Sequence, residues 1–164
     1  MKSIKSIICA LFIIPVIAYA GGMKEKPTIV DIAAGDDSFS TLVTALNAAD
    51  LVSVLDGTGP FTVFAPTNEA FSKIPADTLA NLLKPENKAQ LQAVLTYHVV
   101  SGNIDAATAM TLTEAKTVQG EVINISMNDN KVMINNASVI AADIGARNGV
   151  IHVIDTVILP PSVM

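Results

Sequence analysis

The sequence predicts an α+β fold, with helices mainly in the N-terminal half and strands in the C-terminal half. Between residues 28 and 98, apolar side chains recur mostly at helical spacing. Between residues 121 and 159 they form short β-favouring runs separated by turn residues. One such run, residues 61–65, interrupts the helical half. Segregated helices and strands are typical of α+β domains.

The first predicted helix covers residues 28–34 and is closed by Gly35. Ser38 is expected to cap a second helix. Four apolar residues of that helix fall at positions i, i+3, i+4 and i+7: Phe39, Leu42, Val43 and Leu46. A further turn of helix is expected at residues 51–55.

Residues 61–65 are predicted to form a strand that is covered on both faces, because both faces carry apolar side chains. One face carries Phe61, Val63 and Ala65, and the other carries Thr62 and Phe64. The turn pair Gly59-Pro60 precedes this strand.

Pro66 is expected to end the strand, because proline has no N–H to donate to a ladder. Thr67 or Asn68 then caps a helix that turns Phe71 onto the core, with Glu69 in its first turn. Ile74-Pro75 breaks that helix.

Two more helices are predicted before residue 98. The first is marked by Leu79, Leu82 and Leu83 and ends at Lys84-Pro85. The second begins near Glu86, and its apolar face carries Leu91, Val94, Leu95 and His98.

The C-terminal half is predicted to begin with a short helix at residues 106–109. Residues 121–127 then alternate, with Ile123, Ile125 and Met127 on one face. The turn at residues 128–130 predicts a hairpin with residues 131–134. The remaining predicted strands are residues 138–142, 150–154 and 157–159.

Residues 1–20 are predicted to be a secretory signal peptide. Lys2 and Lys5 form a basic start, residues 7–17 are apolar, and Ala18-Tyr19-Ala20 has the small-x-small pattern of a cleavage site. The apolar run is shorter than the roughly 20 residues of a membrane span. The mature chain is therefore expected to be secreted or periplasmic, with a flexible start at residues 21–27.

The charge and the cysteine content exclude some classes of function. The formal net charge is −5, and loss of Lys2 and Lys5 with the signal makes it more negative. An acidic chain without a basic stripe argues against a nucleic-acid partner. The single cysteine, Cys9, lies within the predicted signal, so the mature chain is expected to have neither a disulfide nor a thiol nucleophile.

Three segments, in this order, resemble the fasciclin domain family: residues 59–71, the pair Tyr97-His98, and residues 148–161. The resemblance covers residues 28–161 and implies a wedge-shaped β-sandwich with helices packed to one side. Nine residues within these segments form its structural signature: Phe61, Thr62, Phe64, Pro66, Thr67, Phe71, Gly149, His152 and Asp155.

No pattern in the sequence indicates catalysis, a metal or a cofactor. His98 and His152 could be a metal site or a base, but both continue apolar faces, so buried imidazoles with core hydrogen bonds are the favoured interpretation. Asp129 resembles part of a calcium loop, yet the glycine and glutamate of such a loop are missing, and a plain turn is favoured. We therefore expect a protein that is not an enzyme.

The resemblance implies two candidate interaction sites. In animal members, an Asp-Ile pair and the Tyr-His region have been implicated in integrin binding, and these correspond to Asp143-Ile144 and Tyr97-His98. Gly145 departs from the larger apolar residue of those members. Asp143 and Ile144 are expected to lie in a surface loop, whereas Tyr97 and His98 fit the core equally well.

The sequence thus predicts a secreted, non-catalytic adhesion module that contacts an extracellular protein or matrix component. The alternative is a carrier of an apolar small molecule such as a carotenoid or lipid, as the resemblance also implies. The sequence leaves open the partner, the oligomeric state, and glycosylation at Asn124 or Asn136, which are formal acceptor sites.

Overall fold

A computed structural model describes residues 26–163 of the chain. The predicted signal peptide and most of the predicted flexible start lie outside these residues. The α-helices are α1 Ile29–Ala34, α2 Ser40–Ala48, α3 Val52–Leu55, α4 Asn68–Ser72, α5 Ala76–Leu82, α6 Lys88–Tyr97 and α7 Ala106–Ala109. Short 3₁₀ turns at Asp37–Phe39 and Pro85–Asn87 lead into α2 and α6.

The strands of the same residues build one seven-stranded sheet. They are β1 Phe61–Pro66, β2 Val99–Ser101, β3 Glu114–Lys116, β4 Val122–Asn128, β5 Lys131–Ile134, β6 Ala137–Ala146 and β7 Gly149–Ile154. Their order is β2-β1-β7-β6-β5-β4-β3. The pair β1–β7 is parallel and the other neighbours are antiparallel.

The sheet curls until its two edges meet. Val100 of the edge strand β2 forms an isolated bridge with Thr117, just after the opposite edge strand β3, and the Val118 N–H donates to the Val99 carbonyl at 2.8 Å. The sheet is therefore nearly closed, with helices mainly from the N-terminal half packed on its outside. The predicted fold class is confirmed.

Strand β1 separates two hydrophobic clusters. Its Val63 and Ala65 belong to an outer cluster between the sheet and the helices, which includes Leu46, Phe71 and Leu95. Its Phe64 belongs to an inner cluster enclosed by the curled sheet. The inner cluster also includes Tyr97, Ile104, Ile123, Ile125, Ile134, Ile154 and Ile158. The prediction that β1 is covered on both faces is confirmed.

Ser38 does not cap α2 as predicted. The Asp36 carboxylate accepts from the Ser38 N–H and starts the 3₁₀ turn instead. A backbone N–H in the first turn of α2 has its acceptor on another element: the Asn68 Oδ1 atom accepts from the Thr41 N–H at 3.1 Å. A single sequence window cannot show such a long-range cap.

Two strand predictions need correction. Residues 157–159 form no strand, because the Ile158 N–H donates to the His98 ring rather than to a neighbouring strand. The strand predicted at residues 138–142 continues to Ala146 through two register shifts. Met127 shares strand β4 with the buried residues Ile123 and Ile125, as predicted, and is 44% exposed near the end of that strand.

The predictions omitted the edge strands β2 and β3, which have three residues each. The hairpin β4–β5 and helix α7 lie where they were predicted. Among the described residues, no helix has the length and apolar character needed to cross a membrane.

Candidate functional site

Tyr97 ends helix α6 with its ring in the inner cluster. Its hydroxyl donates to the Val122 carbonyl at 3.0 Å and accepts from the Asn135 side-chain amide at 3.0 Å. Tyr97 thus links α6 to β4 and to the β5–β6 turn. Its ring is buried, so a direct contact with a partner would require the core to open; an interaction role for Tyr97 stays a prediction.

His98 is the C-cap residue of α6 and is buried. Its Nδ1–H donates to the Val94 carbonyl at 2.8 Å, and its Nε2 accepts from the Ile158 N–H at 3.1 Å. Both ring nitrogens are satisfied only in the neutral form. Burial, which penalises the charged form, lowers the pKa of His98 to about 4, although the Val94 bond acts in the opposite direction.

His152 lies on β7 and is a second buried imidazole. Its Nε2–H donates to the Ile104 carbonyl at 2.6 Å, and its Nδ1 accepts from the Asp143 N–H at 3.3 Å. Its ring stacks on Phe64, with centroids 5.6 Å apart. The prediction that both histidines are buried and hydrogen-bonded is confirmed, and each ring connects segments that no sheet ladder joins.

Asp143 and Ile144 do not lie in a loop, contrary to prediction. Both belong to strand β6, where two register shifts against β7 distort the ladder around residues 140–143, which we call the bulge segment. Asp143 has a φ of 59°, a conformation that Asp tolerates better than most residues. The strand resumes at Ile144, which pairs with Ile151 and packs on the outer cluster.

The bulge segment is exposed yet firmly attached. The Asp143 carboxylate accepts from the Ala106 N–H, the first residue of α7, at 2.8 Å, and its own N–H is held by His152. Ile140 is 53% exposed. The bulge segment therefore presents an apolar and an acidic side chain on backbone that the core fixes in place.

The signature residues in strand β1 and just after it mainly hold the fold together. Thr62 donates to the Gly102 carbonyl and accepts from the Ile104 N–H, both at 2.8 Å. Thr67, not Asn68, caps α4 by accepting from the Ala70 N–H at 3.3 Å. The apolar signature residues Phe64, Pro66 and Phe71 are buried, and Phe61 is half-buried.

The signature residues near the C-terminus also hold backbone together. The Asp155 carboxylate accepts from the Ser138 N–H at 2.9 Å and from the Thr156 hydroxyl at 3.1 Å. Partial burial raises the pKa of Asp155, but these hydrogen bonds and the Lys73 charge outweigh it, so the pKa lies below its usual value. A side chain at Gly149 would place its Cβ 1.8 Å from the Phe61 carbonyl oxygen, so only glycine fits there.

Asn148 entered the predictions only as the first residue of the segment 148–161, yet its side chain connects three elements. Its Nδ2 donates to the carbonyls of Leu55 and Gly57 at 2.5 and 2.9 Å, and its Oδ1 accepts from the Ile29 N–H at 3.1 Å. The partners lie far away in sequence, so no local pattern indicated these hydrogen bonds.

The described residues include no group of three or more His, Cys, Asp or Glu side chains placed to hold a metal ion. Asp129 and Asn130 have φ values of 49° and 68° and form the β4–β5 turn, which confirms the plain-turn interpretation.

Comparison with known proteins identifies the protein family. A model of the fasciclin domain family matches residues 37–160. The chain also resembles a FAS1 domain pair from the insect cell adhesion molecule Fasciclin I, with a TM-score of 0.74 at 17% identity, over 84% of this chain and 52% of the pair. The chain belongs to the fasciclin family; the limits of its domain at residues 28–161 stay a prediction.

Three known proteins are among those similar to this chain in sequence. It is 57% identical to Protein sll1483 of Synechocystis sp. over 82% of this chain and 74% of that protein. It is 35% identical to Immunogenic protein MPB70 of Mycobacterium bovis over 86% and 72% of the two chains. Its identity to transforming growth factor-beta-induced protein ig-h3 of Sus scrofa is 41%, over 82% of this chain but 20% of that longer protein.

Proposed function

We propose that this chain is an exported, non-catalytic adhesion module that contacts an extracellular protein or matrix component. Membership of the fasciclin family supports this class, since fasciclin domains occur in adhesion-related extracellular proteins. Cleavage of residues 1–20 as a signal peptide would place it outside the cytoplasm.

The observation that carries the proposal is the exposed bulge segment. Ile140 can bury apolar area against a partner, while the Asp143 carboxylate sets orientation. Asp143 accepts a hydrogen bond from the Ala106 N–H and donates one to His152, and the two bonds hold this surface in one conformation before binding. Pre-organised backbone reduces the ordering cost of association.

The carrier alternative is not favoured by a specific observation. Apolar cavities within the described structure, such as the one lined by Phe64, Ala109, Val132 and His152, have volumes of about 10 Å³. A cavity of that size admits roughly one water molecule. A carotenoid or lipid would require the sheet interior to open.

The test uses beads coated with many copies of the chain lacking residues 1–20. A single patch of this size gives an affinity in roughly the micromolar range, so dense display is needed for measurable adhesion. The beads are applied to cells of the organism that makes the chain and to a surface coated with the chain itself. We expect retention on one of the two surfaces.

Ile140→Ser combined with Asp143→Asn should reduce that retention severalfold. Asparagine tolerates the positive φ of Asp143 and keeps an oxygen for the Ala106 N–H, so the charge is removed without loosening the bulge segment. Val122→Ser with Glu114→Gln is the matched control, because it alters an exposed apolar and an exposed acidic residue on other strands. Equal retention of both double variants would exclude the bulge segment, and no retention of wild-type beads would exclude adhesion to these surfaces.

A further inference from the structure

An open polar cleft lies beside the β6–β7 turn, at the end of the sheet where β1 and β7 begin. It has a volume of about 690 Å³ and is lined by the loop before β1, by the β6–β7 turn and by Asn103. Its size lies within the range of small-molecule sites, roughly 300–1,000 Å³. We call it the polar cleft.

The walls of the polar cleft are fixed. The three hydrogen bonds of Asn148 join the loop at Leu55 and Gly57 to the β6–β7 turn and to α1. The Phe61 N–H donates to the Asn148 carbonyl at 2.9 Å. A Cβ at Gly59 would lie 2.0 Å from that same carbonyl oxygen. Only glycine at position 59 therefore allows the two walls to come this close.

The lining combines hydrogen-bond donors and acceptors with some apolar surface. The side chains of Asp56, Thr58 and Asn103 are exposed and make no hydrogen bond to any other residue of the described chain. Asp56 supplies an acceptor, whereas Thr58 and Asn103 can both donate and accept. Arg147 adds a cation on the β6–β7 turn, and the exposed ring of Pro60 adds a small apolar surface.

We propose that the polar cleft binds a short neutral oligosaccharide. Sugar hydroxyls each donate and accept, which matches the mixed set of Asp56, Thr58 and Asn103, while the C–H face of a sugar ring can lie on Pro60. Acidic sugars are disfavoured because the chain carries a formal net charge of −5, and the Arg147 cation of the lining is matched by the Asp56 carboxylate.

The geometry favours binding over cleavage. Glycoside hydrolysis usually requires two carboxyl groups on either side of the scissile bond. Asp56 is the only carboxylate among the described residues that line the polar cleft. The site goes beyond the adhesion surface proposed above, because no residue of the bulge segment lines it.

The test is a titration of the ¹⁵N-labelled chain lacking residues 1–20, followed by NMR. Three neutral probes are used, maltotriose, cellotriose and laminaritriose, with trigalacturonic acid as the acidic comparison. At least one neutral probe should shift the amides of Gly57, Gly59 and Asn103 saturably, with a Kd of about 1 mM, as befits an open site. The acidic probe should bind at least roughly fivefold more weakly.

Asp56→Asn combined with Asn103→Ala should weaken the neutral probe roughly tenfold. Both residues are exposed, so the fold is expected to persist, and unchanged resonances of the inner cluster report it. Asp77→Asn combined with Asn81→Ala on α5 is the matched control and should bind like wild type.

Three results would overturn the proposal. One is the absence of saturable shifts with every neutral probe up to roughly 10 mM. Another is equal affinity of the Asp56/Asn103 double variant and wild type. The third uses a chain that begins at Lys26. If the neutral probe binds only to this shortened chain, the polar cleft is the binding place of residues 21–25 of the chain itself. Equal binding with and without those residues supports the oligosaccharide site.

Discussion

The outer and inner hydrophobic clusters are stabilised in different ways. Regular helices and strands surround much of the outer cluster and satisfy most of its backbone groups. At the helix ends, the Ile29 N–H and the Leu55 carbonyl bond instead to the side-chain amide of Asn148, which does not titrate. The inner cluster also borders irregular chain, including residues 102–105 and 155–160. There, buried side chains supply the missing backbone partners: His98 for Ile158, and His152 and Thr62 for Ile104.

In this fold, buried polar side chains lie where backbone groups lack a partner within their own element. An unpaired backbone N–H or C=O inside a core costs about 1–3 kcal/mol. A buried histidine or threonine that satisfies such a group offsets the cost of its own burial. The inner cluster should therefore depend on pH and on single hydroxyl groups, whereas the outer cluster should depend mainly on packing.

The largest expected effect is a cavity in the inner cluster. Phe64→Ala should lower the free energy of unfolding by roughly 3–5 kcal/mol, because Phe64 is 1% exposed and also stacks on His152. Phe61→Ala, on the opposite face of the same strand, should cost less than half as much because Phe61 is only half-buried. Urea unfolding measures both, and equal losses would contradict the assignment of Phe64 to the more tightly enclosed side.

The next effect tests by pH the buried histidine bond that serves Ile158 of the inner cluster. The pKa of His98 is lowered from 6.5 to about 4 in the folded chain, so between these values the unfolded chain binds the proton more readily. Stability should be greatest above pH 6.5 and fall as the pH drops towards 4, by up to about 3 kcal/mol. Urea unfolding at several pH values measures the slope.

His98→Gln is the control for that slope, since glutamine does not titrate. Its absolute stability should be lower, but the fall between pH 6.5 and 4 should be smaller than in wild type. An unchanged slope in His98→Gln would show that other groups cause the pH dependence.

The smallest of these effects concerns one hydroxyl. Tyr97→Phe removes the donor to the Val122 carbonyl and the acceptor for the Asn135 amide while keeping the ring in the inner cluster. The expected loss is about 1 kcal/mol. In Asn135→Ala chains the same substitution should cost less, because one of the two bonds is already absent. A loss independent of Asn135 would mean that this bond contributes nothing.

Local patterns were sufficient where one short segment determines its own structure. Thr67 caps its helix, α1 begins one residue after its predicted start, and the period of Leu91, Val94 and Leu95 defines the buried face of α6. The two-faced character of β1 followed from its own side chains. The family resemblance then supplied the arrangement of these elements, which periodicity does not contain.

The rest depended on contacts distant in sequence. Strands β2 and β3 are too short for a periodic pattern, and residues 157–159 have strand-like composition but bond to His98. At the candidate site, Asp143 was placed in a loop because the pattern of β6 breaks at the bulge segment. The role of Asn148 arises from partners 91 to 119 positions away.

The central parallel pair has a consequence for how the chain reaches this fold. Strand β1 pairs along its whole length with β7, and Phe61 lies opposite Gly149, about ninety residues later. The two-faced strand at the middle of the sheet therefore waits until the last of the seven described strands has been synthesised. Helices α1 to α6 can form early, but the sheet closes only after a long loop has been brought together, which slows folding. Any chain that stops before β7 leaves an apolar strand edge open to self-association.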